Sequence, residues 1–169
     1  RIIYTLDSLN VSLNNNWELS DSASSTKIIL SPNDTILCKV ENNQVRIKNS
    51  SRSFDELLSR IDLNCDTENG TLKIRNVPYG IGWWWQGSED RTYEGKIEIS
   101  VNENNKFDVI VVLPLEKYLC GVVPYEIGND APLEALKAQV IAARSETVSA
   151  LLSGKYKGKP VSTEGILYM

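Results

Sequence analysis

From residue 1 to about residue 113 the apolar residues come in short runs broken by Asn, Asp, Ser and Gly, the pattern of strands joined by turns. Ile28–Leu30, Ile36–Val40, Val45–Lys48 and Leu72–Arg75 alternate or cluster like half-buried strands. Ser31-Pro32-Asn33-Asp34 and Glu41-Asn42-Asn43 supply turns between them. Runs this short predict a sandwich or a small barrel. One interruption reads as helical: Ser53 followed by Glu56 makes a capping box, and Phe54, Leu57, Leu58 and Ile61 then fall at helical spacing, which predicts a short covering helix. Tyr93–Val101 and Phe107–Leu113, joined by Asn102-Glu103-Asn104-Asn105, form the clearest hairpin.

Beyond the hairpin the period changes. Pro114–Gly121 predicts two helical turns. Pro132–Ser153 predicts one long helix, with proline in its first turn, Gly154 as C-cap, and Lys155, Lys157 and Lys159 placed where positive charge complements the helix dipole. At 100° per residue Leu133, Leu136, Val140, Ile141, Val148, Leu151 and Leu152 span one broad face, opposite a face of Ala135, Ala138, Ala142, Ala143 and Ala150. Such a helix is expected to be central and covered on both sides. Arg144 falls near the middle of the apolar face, where a guanidinium needs carboxylate or carbonyl partners. It is either one half of a structural ion pair or a group reaching through to a site. The fold class is α+β: a β-rich first part, a hairpin, a short helix and one long central helix.

With 169 residues, 41% hydrophobic and 24% charged, the chain can support its own core without staples. A net charge of −4, with no long run of Lys or Arg, argues against nucleic acid as a partner. No stretch is apolar enough for a membrane span, and any signal or anchor is expected upstream of Arg1. The chain has no histidine, which removes Ser-His-Asp and Cys-His catalysis and leaves acid/base chemistry to carboxylates. Cys38, Cys65 and Cys120 are too far apart for a C-x-x-C pair, and a Cys38–Cys65 bridge is open in a secreted protein.

Leu113-Pro-Leu-Glu-Lys-Tyr-Leu-Cys-Gly-Val-Val-Pro-Tyr-Glu126, followed by Ala131-Pro-Leu-Glu-Ala-Leu-Lys-Ala-Gln-Val-Ile-Ala-Ala-Arg144, resembles the SpoIID/LytB family, and Tyr93-x-Gly95 opens the resemblance. It covers about residues 93 to 154, and divides the chain into a β-rich part over 1–92 and a family-like core segment over 93–169. It implies an extracellular or envelope protein acting on peptidoglycan glycan strands, either as a lytic transglycosylase or as a noncatalytic wall-binding protein and enhancer of cell-wall amidases. It also implies Glu126 as the catalytic glutamate of V-P-x-E, with Arg144 of A-A-R beside it in the substrate site. After Arg144 the family continues with T-Y-A and a later segment of Asp, Cys, His and Gln that binds zinc in some members. Here Ser145-Glu146-Thr147 follows and that segment is absent, so the chain is expected to be either C-terminally truncated or a degenerate relative, and to hold no metal or other cofactor.

The implied chemistry suits a chain without histidine. Lytic cleavage needs one carboxyl group, which protonates the leaving oxygen and then takes the proton of the sugar's own C6 hydroxyl; a hydrolase generally needs two, about 5 to 10 Å apart. Val122, Val123, Pro124, Tyr125 and Ile127 give Glu126 apolar neighbours that favour its acid form, whereas Arg144 would favour the carboxylate. Glu116 and Glu134 read as structural. Tyr125, Trp83 and Trp85 are the remaining candidates for substrate contact, because indole faces stack on sugar C–H surfaces. On a strand Trp83 and Trp85 would share one side and Trp84 the other; the competing reading has these rings filling the core or covering a sheet edge.

Overall fold

The computed structural model describes residues 2–3, 6–21, 23–49, 54–67 and 70–154. Their contacts form two compact units that divide after Val112. The motif-based line at 92/93 falls inside the first unit, because the strands beyond it pair with earlier strands.

Among the described residues the first unit holds eleven strands: β1 (Ser8–Leu13), β2 (Trp17–Asp21), β3 (Lys27–Leu30), β4 (Thr35–Glu41), β5 (Gln44–Asn49), β6 (Asp55–Leu58), β7 (Arg60–Cys65), β8 (Thr71–Tyr79), β9 (Gly87–Glu94), β10 (Lys96–Val101) and β11 (Phe107–Val112). They build two antiparallel sheets, in the orders β6-β5-β4-β1-β8-β9 and β11-β10-β7-β2-β3. Neither closes into a barrel. Period-2 alternation sends Leu9, Val11, Ile36, Cys38, Val45, Ile47, Leu72 and Ile74 inward from one sheet, and Trp17, Leu19, Ile61, Leu63, Ile97, Ile99, Phe107 and Val109 inward from the other, into one shared core.

The turns follow their side chains. Asn42 and Asn43 both take positive φ in the two-residue loop from β4 to β5, the conformation that matches strand twist. Asp34 Oδ2 accepts the Ser31 N–H at 2.7 Å and closes the β3–β4 turn. Asn102 Oδ1 accepts the N–H groups of Asn104 and Lys106 at 2.9 and 3.1 Å, organising the β10–β11 loop.

The short covering helix does not form. Asp55–Leu58 is β6, registered against β5 from Lys48↔Asp55 to Val45↔Leu58, and Ile61 belongs to β7. Ser53, the expected cap, lies outside the described residues. On β6, Asp55 pairs with Arg46 at 2.8 Å and Lys48 at 2.9 Å, both from β5. Leu58 on β6 and Ile61 and Leu63 on β7 meanwhile enter the core. Tertiary pairing overrides a local helical pattern of four residues.

The second unit is an αα-hairpin of α1 (Leu115–Ile127) and α2 (Leu133–Leu152). α1 runs past the expected stop at Gly121 and contains Pro124, which is tolerated because it sits one turn from the end, where it removes a single i→i−4 bond. Gly128, at φ 88°, then closes the helix by donating its N–H to Pro124 O at 2.9 Å. α2 keeps its expected bounds, but it is not covered on both sides. Only Ala150 is buried on it, and Leu133, Ile141, Leu151 and Leu152 are exposed. Lys155, Lys157 and Lys159 lie outside the described residues.

Candidate functional site

The two helices run antiparallel, because the later residue on α2 meets the earlier residue on α1: Arg144 pairs with Glu116, and Gln139 with Glu126. The candidate glutamate sits in the last turn of α1, past the Pro114–Gly121 turns that the sequence predicts, and is half-buried. Its Oε2 accepts a hydrogen bond from Gln139 Nε2 at 2.7 Å. Among the described residues Oε1 has no hydrogen-bond partner, so the carboxyl is held at one oxygen and open at the other. Tyr125, beside it, is exposed.

Arg144 does not pair with Glu126. Its Nε and Nη2 form a fork onto Glu116 Oε1 and Oε2, at 3.0 and 2.7 Å. This pair is solvent-facing rather than buried, with side chains 39% and 67% exposed. The bidentate guanidinium holds the Glu116 carboxyl below the ordinary glutamate range, and Glu116 in turn raises Arg144. The reason lies in helix geometry. Glu116 precedes Glu126 by about ten residues, or roughly 15 Å of helix axis at 1.5 Å per residue, while Gln139 and Arg144 are separated by only about half of that. Arg144 is thus carried toward the N-terminal end of α1, away from the glutamate at its other end. Gln139 was passed over at the sequence level although it stands in the quoted P-x-E-A-L-K-A-Q run. The signal was its place on α2, one helical turn and a residue before Arg144, facing the end of α1.

Glu134, the other acidic candidate, pairs with Lys137 at 2.8 Å in the first turns of α2. Trp83 and Trp85 belong to the first unit, at the turn between β8 and β9, and their expected strand alternation does not apply there. Trp83, Trp84 and Trp85 are 55%, 93% and 45% exposed, so none of the three is a core side chain. Trp85 stacks on Tyr79 with ring centroids 6.3 Å apart.

Cys38 is a buried free thiol pushed up to about 12 by desolvation, Cys65 is half-buried and Cys120 exposed; all three are free. Among the described residues no three His, Cys, Asp or Glu side chains gather as a metal site, and the chain has no histidine. No described helix is long and apolar enough to cross a membrane.

Residues 103–165 match the sequence model of the family described as stage II sporulation protein, SpoIID. An uncharacterized protein of Brachyspira hyodysenteriae (strain ATCC 49526 / WA1) is 41% identical over 54 residues, which is 32% of this chain and 15% of that protein. The matched part thus spans about a seventh of the length of that relative. No solved structure matches the chain. At family level the match supports a function related to sporulation and the cell wall.

Proposed function

From the match of residues 103–165 to the SpoIID family model, we propose that the α1–α2 hairpin carries the acid/base carboxyl of a lytic transglycosylase acting on peptidoglycan at the cell envelope. The observation behind this reading is the way Glu126 is held. Gln139 fixes Oε2 through a neutral amide and leaves Oε1 open. A neutral donor orients the carboxyl without requiring it to be charged, so the same geometry serves the acid and the carboxylate. An arginine in that place would favour the carboxylate alone.

In the proposed reaction, protonated Glu126 gives its proton to the glycosidic oxygen as the bond between N-acetylmuramic acid C1 and that oxygen breaks. The C6 hydroxyl of the same muramic residue then bonds to C1, and its proton passes to the Glu126 carboxylate, which restores the acid. No water enters, and the product is a 1,6-anhydro end. One carboxyl suffices for this cycle. Glu116 would stand too far along α1 to complete a hydrolase pair, whose carboxyls lie about 5 to 10 Å apart, and it is engaged by Arg144. Tyr125 is available for substrate contact from the adjacent exposed position. Peptidoglycan glycan strands are the proposed partner.

The test is digestion of purified glycan strands, with products read by mass spectrometry. Glu126→Gln is expected to reduce the yield of 1,6-anhydro ends by about 10²-fold or more, the usual scale for loss of a general acid. Reducing ends in place of anhydro ends would overturn the reaction class. Undiminished turnover in Glu126→Gln would overturn the residue. The second reading, a noncatalytic wall-binding protein or amidase enhancer, is favoured by the engagement of Arg144 with Glu116 rather than with Glu126. It predicts no release of product by the chain alone, and a raised yield from a partner amidase even in Glu126→Gln.

A further inference from the structure

The β8–β9 turn concentrates three of the four tryptophans of the chain at one tip, and all three are exposed, while the fourth, Trp17, is fully buried. Exposed indoles on a floppy loop would carry little meaning, but this tip is built. The Trp83 N–H donates to Gly80 O at 2.9 Å and the Gln86 N–H to Trp83 O at 3.0 Å, two turns in succession. Gln86 Oε1 accepts the Gly82 N–H at 3.0 Å across them. Trp85 lies against Tyr79 with an interplanar angle of 18°, and against Gly80, whose φ of 60° and missing Cβ make room for the ring. One ring is thus fixed as a base, and Trp84 projects from it at 93% exposure.

The tip is also uncharged. No Asp, Glu, Lys or Arg occurs between residues 76 and 88, in a chain that is 24% charged, and the first charges that follow are Glu89 and Asp90. An anionic lipid surface would call for Lys or Arg beside the tryptophans. A stable protein partner would call for about 800 Å² on each side, and these indoles offer on the order of 400 Å². What remains is a neutral ligand with flat apolar faces and polar edges. We propose that the tip is a carbohydrate-binding site that stacks the rings of a neutral, linear pyranose chain on Trp84 and Trp83, with the Tyr79 hydroxyl and the Gln86 amide at its edge. It lies in the first unit, and its function does not depend on that of Glu126 in the second.

The β-1,4-linked tetramer of N-acetylglucosamine, titrated into the full chain, tests it through tryptophan emission, since three of the four indoles lie at the tip. A saturable shift is expected, with Trp84→Ala weakening binding by at least about 10-fold. Because Trp84 projects into solvent, its removal should leave the thermal midpoint in place. No saturable shift with the tetramer, or equal affinity in Trp84→Ala, overturns the proposal. So does a shift with phosphatidylglycerol vesicles and none with the saccharide, which would make the tip a lipid anchor. Loss of glycan cleavage in Glu126→Gln has no bearing on this titration, so the two proposals fail separately.

Discussion

The two units treat their apolar residues in opposite ways. In the β unit nearly every inward position of the alternating strands is closed off, from Leu9 and Val11 on β1 to Phe107 and Val109 on β11, and both sheets feed one core. In the helical unit Leu119, Val123 and Ala150 are buried, while Tyr125, Leu133, Ile141 and Leu152 face solvent. A pair of sheets offers each strand face an opposing layer, whereas two helices can cover only one stripe of each other. Apolar content alone therefore does not tell how much of a segment is packed. The number of opposing surfaces does.

Cys38 gives the largest expected contrast between the units. Its thiol is pushed up to about 12, so at pH 8 only about one part in ten thousand is thiolate, and the surrounding core excludes reagent as well. Cys120, exposed on α1, is open to the reagent. Labelling by a thiol reagent followed by peptide mass spectrometry should show Cys120 modified more than about 10³-fold faster than Cys38, with Cys38 reacting only under denaturant. Comparable rates would mean that the β unit opens as readily as the helices.

Next in size is a matched pair of leucine truncations. Leu19→Ala removes a fully buried side chain between β3 and β7 and should cost about 2 to 5 kcal/mol, read as a shift of the urea midpoint at constant slope. Leu152→Ala, at a side chain 84% exposed, should stay within about 0.5 kcal/mol. A large loss at Leu152 would show that α2 has a covering surface in solution.

The same contrast explains what was legible in the sequence. Strands β3, β4, β5 and β8 were readable because alternation and Asn-rich turns are local signals, and they agree with the pairing that forms. β6 was not, since Phe54, Leu57, Leu58 and Ile61 satisfy a helical period as well as two short strands do. The pairing that settles β6 comes from another strand, β5, which also supplies Arg46 and Lys48 to Asp55. At the candidate site Glu126, Tyr125 and Arg144 were legible as motif positions. Their partners were not, because which α2 residue faces which end of α1 depends on the hairpin register. That register gives Gln139 to Glu126 and Glu116 to Arg144.

The smallest effect expected concerns that second pair. Had Arg144 been buried against Glu126, its loss would have stranded a charge in the interior and cost several kcal/mol. Facing solvent with Glu116, it should matter little, and in a way that pH and salt reveal. The folded-state value of Glu116 is lowered, first by its hydrogen bonds from Arg144, so the pair stabilises above the ordinary glutamate value of about 4.3. That contribution is lost as pH falls through the lowered folded value. Arg144→Ala should therefore slightly reduce the helical signal at 222 nm during thermal melting near neutral pH. The difference from the parent chain should fade toward pH 3 and shrink in 1 M salt. A large loss that ignores both pH and salt would show that the guanidinium works through packing, and would return Arg144 to the interior role that its place on the apolar face of α2 first suggested.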